Sequence, residues 1–477
     1  MKNKIVKRIQ DEFQKTPDLI IKEIKLSLLD TIYVVFLETV SSGDKVNDYI
    51  LKNLSSFSSF KNTRKIDINS LVPGPNTKEI KNLDEIEYFI TNGFTIVIRG
   101  NTVLGIETRA DINRGIPTPD SEPAPNGPKD AFTENYQINL GLIKKRLKSN
   151  KLKTEEFTIG RKTLTKVGLL YFADIAEDKT IQLVIDKLNK IDIDGILDSS
   201  MIGQLITKED KTHFPTYVIT ERPDFVSKAL LEGKIVIMVD TSPFAIILPA
   251  FFIDFINPGI DSYHKSKNIN FLKIVRFVCF FLSMSVPAIY IASVNYNQET
   301  IPTNLLVSFS IQRDGVPFPS IVEVLIMLFV CEMLRESDLR FPNAYGSAIS
   351  ILGALVLGDA AVSAGIVSPI TIIIIALTFM ASLIFTEIEV SNALRNLRFI
   401  FLFAAAFYGI LGLVFASLYF LIRVNKIHSF GKPYFYPLTP FDKTYFFKTA
   451  IKWPIRKEVK RSSMLTKTNK TKQGENL

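Results

Sequence analysis

The 477-residue chain is long enough for two or three domains, and its 47% apolar content would suit a soluble enzyme, but most uninterrupted apolar sequence lies beyond Lys273. Its two cysteines, Cys279 and Cys331, both sit in apolar runs, which excludes a disulfide framework and a thiolate zinc site. The formal charge of +9 is carried by the tail: from Arg423 onward thirteen Lys or Arg face only Asp442, Glu458 and Glu475. That placement argues for a tail held beside anionic lipid, with no nucleic-acid partner.

Residues 1–65 read as a helical N-terminal segment. Leu19–Glu38 is its clearest amphipathic stretch, with aliphatic residues returning at three and four positions. Met1–Asp11 carries Lys2, Lys4, Lys7 and Arg8 with no apolar run after them, so no secretory signal is read and the first half is expected to be cytoplasmic.

Residues 66–135 are expected to form a first α/β subdomain and residues 136–260 a second, because a local pattern recurs. Tyr88–Gly93 precedes Phe94–Gly100, a turn at Asn101-Thr102 and Val103–Glu107. Ala229–Gly233 likewise precedes Lys234–Asp240, a turn at Thr241-Ser242 and Phe244–Leu248. Each copy is predicted as a helix capped by glycine, a strand and a hairpin return. Val167–Ala173 reads as a further strand and Ile181–Ile191 as a helix. Between the copies, five prolines at 117, 119, 123, 125 and 128 exclude helix and central strand, leaving a loop. Thr220-Glu221-Arg222-Pro223-Asp224 reads as a polar helix start that acts as a domain brace or an assembly contact. Phe244–Ile256 is too short to cross a bilayer comfortably, and suits the interface or a brace against the membrane.

Residues 261–424 are predicted to be a membrane domain of four or five helical segments. Phe271–Val294 is the clearest, with Lys273 and Arg276 placed to snorkel. Val316–Glu336, Pro369–Phe385 and Phe399–Ile422 follow. In Ala344–Ser368, Gly346, Ser350, Ala354 and Gly358 recur every four residues, a stripe for close helix packing or for lining a pore or hinge. The charge rule favours four full spans with this stretch crossing partially. Asp359 is the isolated carboxylate there and is expected on an aqueous path, because burying its charge in lipid is costly. Glu323 lies inside the second segment. Glu332 and Glu336 share a face beside Arg335 and are expected to pair at its cytoplasmic edge. Residues 425–477 complete the chain as a basic cytoplasmic tail.

No phosphate loop, HExxH or GxSxG occurs, and His213, His264 and His428 fall in separate regions. No catalytic residue, metal ligand or cofactor is expected, and the chain is not read as an enzyme. The fold class expected is thus an α/β two-part cytoplasmic N-region followed by an α-helical multi-span membrane domain.

Several motifs in order carry a resemblance. They are Gly127-Pro128 with Phe132-Thr133-Glu134, Asp174-Ile175-Ala176, the 220–224 motif, Pro317-Phe318-Pro319 with Glu323, Arg335-Glu336 with Arg340, the run 352–369, and Pro433-Tyr434. The chain resembles the A subunit of GerA-type spore germinant receptors of endospore-forming bacteria. The resemblance implies a homo-oligomer in the spore inner membrane, partnered by a transporter-like B subunit that binds the nutrient and a lipoprotein C subunit. It further implies a germinant-gated ion channel. Glu323, Gly346, Ser350, Ala354, Gly358 and Asp359 are then pore or gating candidates. Glu221, Arg222, Asp224, Arg335, Glu336 and Arg340 are candidates for assembly or coupling. A non-conducting scaffold for the partner subunits is the alternative. The chain departs from the family pattern at Asp359, where many relatives have Gln, at Asn126 in place of Arg, and at Thr241-Ser242 in place of Gly-Thr.

Overall fold

A computed structural model of the chain describes residues 4–27, 30–57, 68, 72, 76–111, 117–119, 122, 124, 126–207, 212–340, 356–385, 387–454 and 457–472. The first half contains two five-stranded antiparallel sheets. Strands β1 (Leu19–Ser27), β2 (Asp30–Leu37), β3 (Thr77–Glu79), β4 (Phe94–Arg99) and β5 (Thr102–Glu107) lie in the order β1-β2-β4-β5-β3. Strands β6 (Leu152–Ile159), β7 (Thr165–Phe172), β8 (Val218–Thr220), β9 (Ile235–Val239) and β10 (Ala245–Leu248) lie in the order β6-β7-β9-β10-β8. Shifting every number by five superposes one order on the other, so the duplication spans whole sheets rather than the short pattern visible in the sequence.

The expected helix at Leu19–Glu38 is corrected: it is the β1–β2 hairpin. Ile32–Leu37 is an apolar run because both faces of β2 are covered. Tyr33, Val35 and Leu37 pack under helix α1 (Lys4–Glu12), while Ile32, Val34 and Phe36 pack under the helical run that begins at Gly43. A strand buried on both faces loses its alternation, and its apolar run then matches helical spacing by accident. β-branched Ile and Val decide for the strand. The first sheet therefore begins inside the segment read as 1–65, with helix α1 before it packed on one of its faces.

Helix α2 (Ile86–Thr91) leads into β4. In the second unit, α3 (Tyr136–Arg146) and α6 (Pro223–Leu231) cover one face, and α4 (Asp178–Asn189) and α5 (Ser199–Ile206) cover the other. The two units are tied by a buried ion pair between Lys144 and Asp18, whose second oxygen accepts from Thr39 Oγ1 at 2.5 Å. Within the apolar run at Phe244–Ile256, Ala245–Leu248 is β10 and Phe252–Ile256 is a short helix packed on helices of the second half.

The second half is helical: α7 (Ser266–Asn295), α8 (Thr303–Arg313), α9 (Ser320–Arg340), α10 (Pro369–Ser382) and α11 (Ile388–Lys426). By length and composition α7 and α11 suffice to cross a membrane. Yet α11 is not one straight rod, as the reading of Phe399–Ile422 as one span assumed. Gly409 has φ 59° and ψ −137°, outside the helical region. Leu397 and Ile400 line the same cavity as Tyr419, Phe420 and Val424, and a Cβ on Gly412 would collide with the Ala404 carbonyl. A straight helix would hold Leu397 and Val424 roughly 40 Å apart, at ~1.5 Å per residue. The chain therefore reverses at Gly409, and 388–408 and 410–426 are antiparallel arms. Each arm is near the ~20 residues a bilayer core demands.

Pro287 lies inside α7, where it can give no N–H to the Ser283 carbonyl four residues back. The buried Arg398 fills the vacancy, Nε donating to Ser283 O at 2.8 Å. Lys273 and Arg276 do not snorkel as expected: Lys273 donates to Thr449 O at 2.6 Å, and Arg276 pairs with Asp261 at 2.6 Å. Both are drawn towards protein because the soluble half and the tail supply acceptors at that level.

Part of the tail's positive charge is engaged with the second α/β unit. Lys432 pairs with Glu177, Lys467 with Asp178, and Lys472 lies 3.6 Å from Glu232. Tyr434, Tyr436 and Tyr445 are buried there.

Replacing Arg398 by Ala is expected to cost about 1–3 kcal/mol, the usual penalty for a buried unpartnered carbonyl. It should lower the thermal midpoint of the detergent-solubilised chain by several degrees, while an exposed control such as Lys179→Ala leaves it unchanged. Gly409→Ala is expected to be worse tolerated than Ala at ordinary glycines, because its Cβ would stand 2.8 Å from Tyr296 Cβ at positive φ. Loss of folded monomer in size-exclusion chromatography is the readout.

Candidate functional site

The helical bundle has two ends, and hydrogen bonds assign each helix a direction. α7 starts against the soluble half and ends at Asn295, whose Oδ1 accepts from Ser320 Oγ at the start of α9 (3.1 Å). Arg335, near the end of α9, donates to Ser382 and Ser391 at 3.0 and 3.3 Å. α10 begins beside Glu323 and ends beside Arg335, so α9 and α10 run the same way. The segment 344–368, expected to cross partially, lies mostly outside the described residues; the helices flanking it are fastened at Glu323 and at Arg335, twelve residues and about 18 Å of helix apart.

Glu323 is fully buried within one copy. Its Oε2 accepts from the Ser368 amide at 2.8 Å, from Ser368 Oγ at 2.8 Å and from Thr371 Oγ1 at 3.0 Å. These bonds fasten the first turn of α10. Arg313 Nε faces Oε1 at 3.6 Å, too far for a hydrogen bond but close enough to offset the charge. All three hydrogen bonds meet Oε2, while Oε1 has the Arg313 charge near it and no hydrogen bond, so within a single copy the geometry is that of a one-sided clamp between α9 and α10.

Gly346, Ser350 and Ala354 lie outside the described residues. Gly358 and Asp359 stand on a helical turn beginning at Val356. Gly358 is buried against α10, 4.0 Å from Ile372 Cδ1, whereas Asp359 points outward. Its neighbours Val356 and Leu357 are 55% and 47% exposed. Gly358 and Asp359 thus face opposite ways: the small residue packs inward and the charge leaves the bundle.

At the opposite end, Glu332 pairs with Arg395 on α11 at 3.0 Å, and Arg335 also lies over the Phe379 ring at 5.5 Å. The expected pairing at this edge exists, but its partners come from other helices rather than from the next turn of α9. Glu336 is exposed, and the side chain of Arg340 lies outside the described residues. Arg313, Arg395 and Arg398 were missed as site residues. Pro287 was the available signal for Arg398, since a helical proline always frees one carbonyl.

The 220–224 motif is a brace inside one chain. Arg222 is buried, donating to Asp224 at 3.0 Å and to the carbonyls of Glu122 and Pro128 at 3.0 and 3.2 Å. Glu221 Oε1 accepts from the Glu122 amide at 2.9 Å, and Tyr263 donates to Asp224. Described parts of the proline-rich segment are thereby fixed to the second α/β unit. Thr220 donates to Glu122 at 2.6 Å, yet burial pushes the Glu122 carboxyl up to about 7, with Glu221 and Asp224 adding repulsion. Glu387, at the start of α11, is also pushed up to about 7, by burial and then by Glu122 and Glu389.

Both carboxyls therefore bind a proton more tightly folded than unfolded. Folded stability is highest below their unfolded values near 4.5 and falls as pH rises through about 7. The thermal midpoint is expected to drop by a few degrees between pH 5 and 7.5, and Glu387→Gln to flatten that slope. An unchanged slope in Glu387→Gln would show that the pair contributes nothing.

Comparison with known proteins follows from this geometry. The model of the Bacillus/Clostridium GerA spore germination protein family matches residues 7–464. Spore germination protein KA of Bacillus subtilis (strain 168) is 36% identical over 99% of this chain and 88% of its own length. Spore germination protein XA of Bacillus anthracis is 32% identical over 94% and 92%. The crystal structure of the N-terminal domain of the A subunit of the Bacillus megaterium spore germinant receptor GerK3 matches at 32% identity and a TM-score of 0.40. It covers 52% of this chain and 95% of that one. With a family match spanning both α/β units, the helical bundle and most of the tail, the chain belongs to the GerA family of spore germination proteins.

Proposed function

We propose that this chain is the A-type subunit of a nutrient germinant receptor in the spore inner membrane, and that several copies surround an ion path opened when a transporter-like partner subunit binds germinant. A lipoprotein completes the receptor on this reading. On this reading α7 and the first arm of α11 cross outward, and α9, α10 and the returning arm cross inward. The packing of the tail on the second α/β unit holds the two on one side of the membrane, read here as the cytoplasmic side.

The observation that carries the proposal is the outward-facing Asp359 on a turn whose other exposed residues are apolar. A carboxylate facing lipid is costly, and a shared aqueous axis between copies removes that cost. Gly358 supports it by letting the turn press against α10 while Asp359 faces away.

One observation favours a non-conducting scaffold instead: Glu323, the other carboxylate of this layer, is sealed within a single copy.

Reconstitution of the receptor with its partner subunits in liposomes separates the two. Asp359→Asn is expected to change germinant-triggered ion release several-fold with folded protein undiminished. Wild-type receptors that bind germinant yet pass no ions would leave the scaffold standing.

A further inference from the structure

The two arms of α11 and the loop before β8 enclose a cavity of about 240 Å³ at the end of the bundle next to the soluble half. Its floor is apolar, formed by Leu397, Ile400, Phe420 and Val424 from the facing arms, with Phe214 from the second α/β unit. Its rim is basic: Arg423 and Lys426 come from the last turn of the returning arm, and His213 and His428 from the segments beside it. The sequence scatters these two histidines 215 positions apart, and the reversal at Gly409 brings them to one opening. No carboxylate lines the cavity among the described residues. Among the described residues, the contact made by the Arg423 guanidinium is with the Tyr419 ring, 5.9 Å from the centroid. Away from the rim, the same arms continue as an exposed apolar surface through Phe403, Phe407, Phe415 and Ile422.

A positive rim at one end of an apolar strip has the polarity of a phospholipid, with phosphate at the rim and acyl chain along the arms. We propose that this cavity holds the headgroup phosphate of an anionic phospholipid from the cytoplasmic leaflet. The proposal rests on the reading that α11 crosses the membrane as a hairpin, which sets Arg423 and Lys426 at headgroup level, where basic side chains attract anionic lipid. It places the membrane-facing charge on Arg423 and Lys426, whereas Lys432, Lys467 and Lys472 farther along are engaged with carboxylates of the second α/β unit. Because the α/β unit, the tail and both arms contribute to one opening, a bound lipid would pin the hairpin to the soluble half.

The test uses the full chain in detergent, titrated with phosphatidylglycerol, phosphatidylcholine or inorganic phosphate and read by native mass spectrometry. Phosphatidylglycerol is expected to bind roughly twenty- to thirty-fold more tightly than phosphatidylcholine, the discrimination two basic side chains give at an anionic surface. The double variant Arg423→Gln with Lys426→Gln should lose most of that preference. Ile400→Trp, which fills the floor and keeps both charges, should lose binding of the lipid and serves if the double variant fails to fold. Equal binding of the two lipids by wild type overturns the proposal, and so does inorganic phosphate competing at millimolar concentration, which would mark a free-phosphate site. Oligomers that exclude phosphatidylglycerol overturn it too, since a second copy would then cover the opening. Carbonate extraction of the membrane-bound chain separates the two readings. A chain that resists extraction yet shows no lipid preference sinks only this proposal, whereas a chain that is extracted sinks the membrane reading as well.

Discussion

The carbonyl that Pro287 leaves free is answered from another helix, and that requirement organises the whole bundle. In an apolar surrounding an unpartnered polar atom is costly, so each one fixes the neighbour that satisfies it. Arg398 holds the first arm of α11 against α7 through Ser283, and Glu323 holds α10 against α9 through Ser368 and Thr371. Arg335 ties the end of α9 to Ser382 and Ser391, while Arg395 reaches back to Glu332. These bonds run between helices far apart in sequence, so they set direction and order where apolar packing alone would leave helices free to slide or rotate.

The same reasoning isolates Asp359. Every other charged residue named in the bundle interior has a partner within one copy, and this one faces outward. Gly358 and Asp359 thereby divide the labour of one helical turn, the first allowing close approach and the second presenting charge.

The soluble half connects to this bundle through an aromatic seam. Phe252 packs edge-to-face on Phe280 at 5.0 Å, and Phe214 lies 6.2 Å from both Phe420 and Tyr434. Those rings belong to the second α/β unit, α7, the returning arm and the tail, so a shift in any one of them is felt by the others. The Glu122–Glu387 pair and the basic cavity lie on the same junction. Any movement passed between the α/β units and the helical bundle has this layer to cross.

The sequence by itself determined the division into soluble and helical halves, the repeated helix–strand–hairpin pattern and the isolation of Asp359, because these depend on local composition and short periods. It misread Leu19–Glu38, since a strand covered on both faces carries no alternation to distinguish it from a helix. It misread α11 as a single span because one glycine among apolar residues gives no sign of a reversal; only contact between Leu397 and the layer of Val424 reveals it. The identities of Glu323, Arg398 and the tail lysines were plain in the chain, but their partners lie tens to hundreds of residues away. Charge pairing over such separations is decided by which surfaces the folded helices and sheets bring together, and no local pattern encodes it.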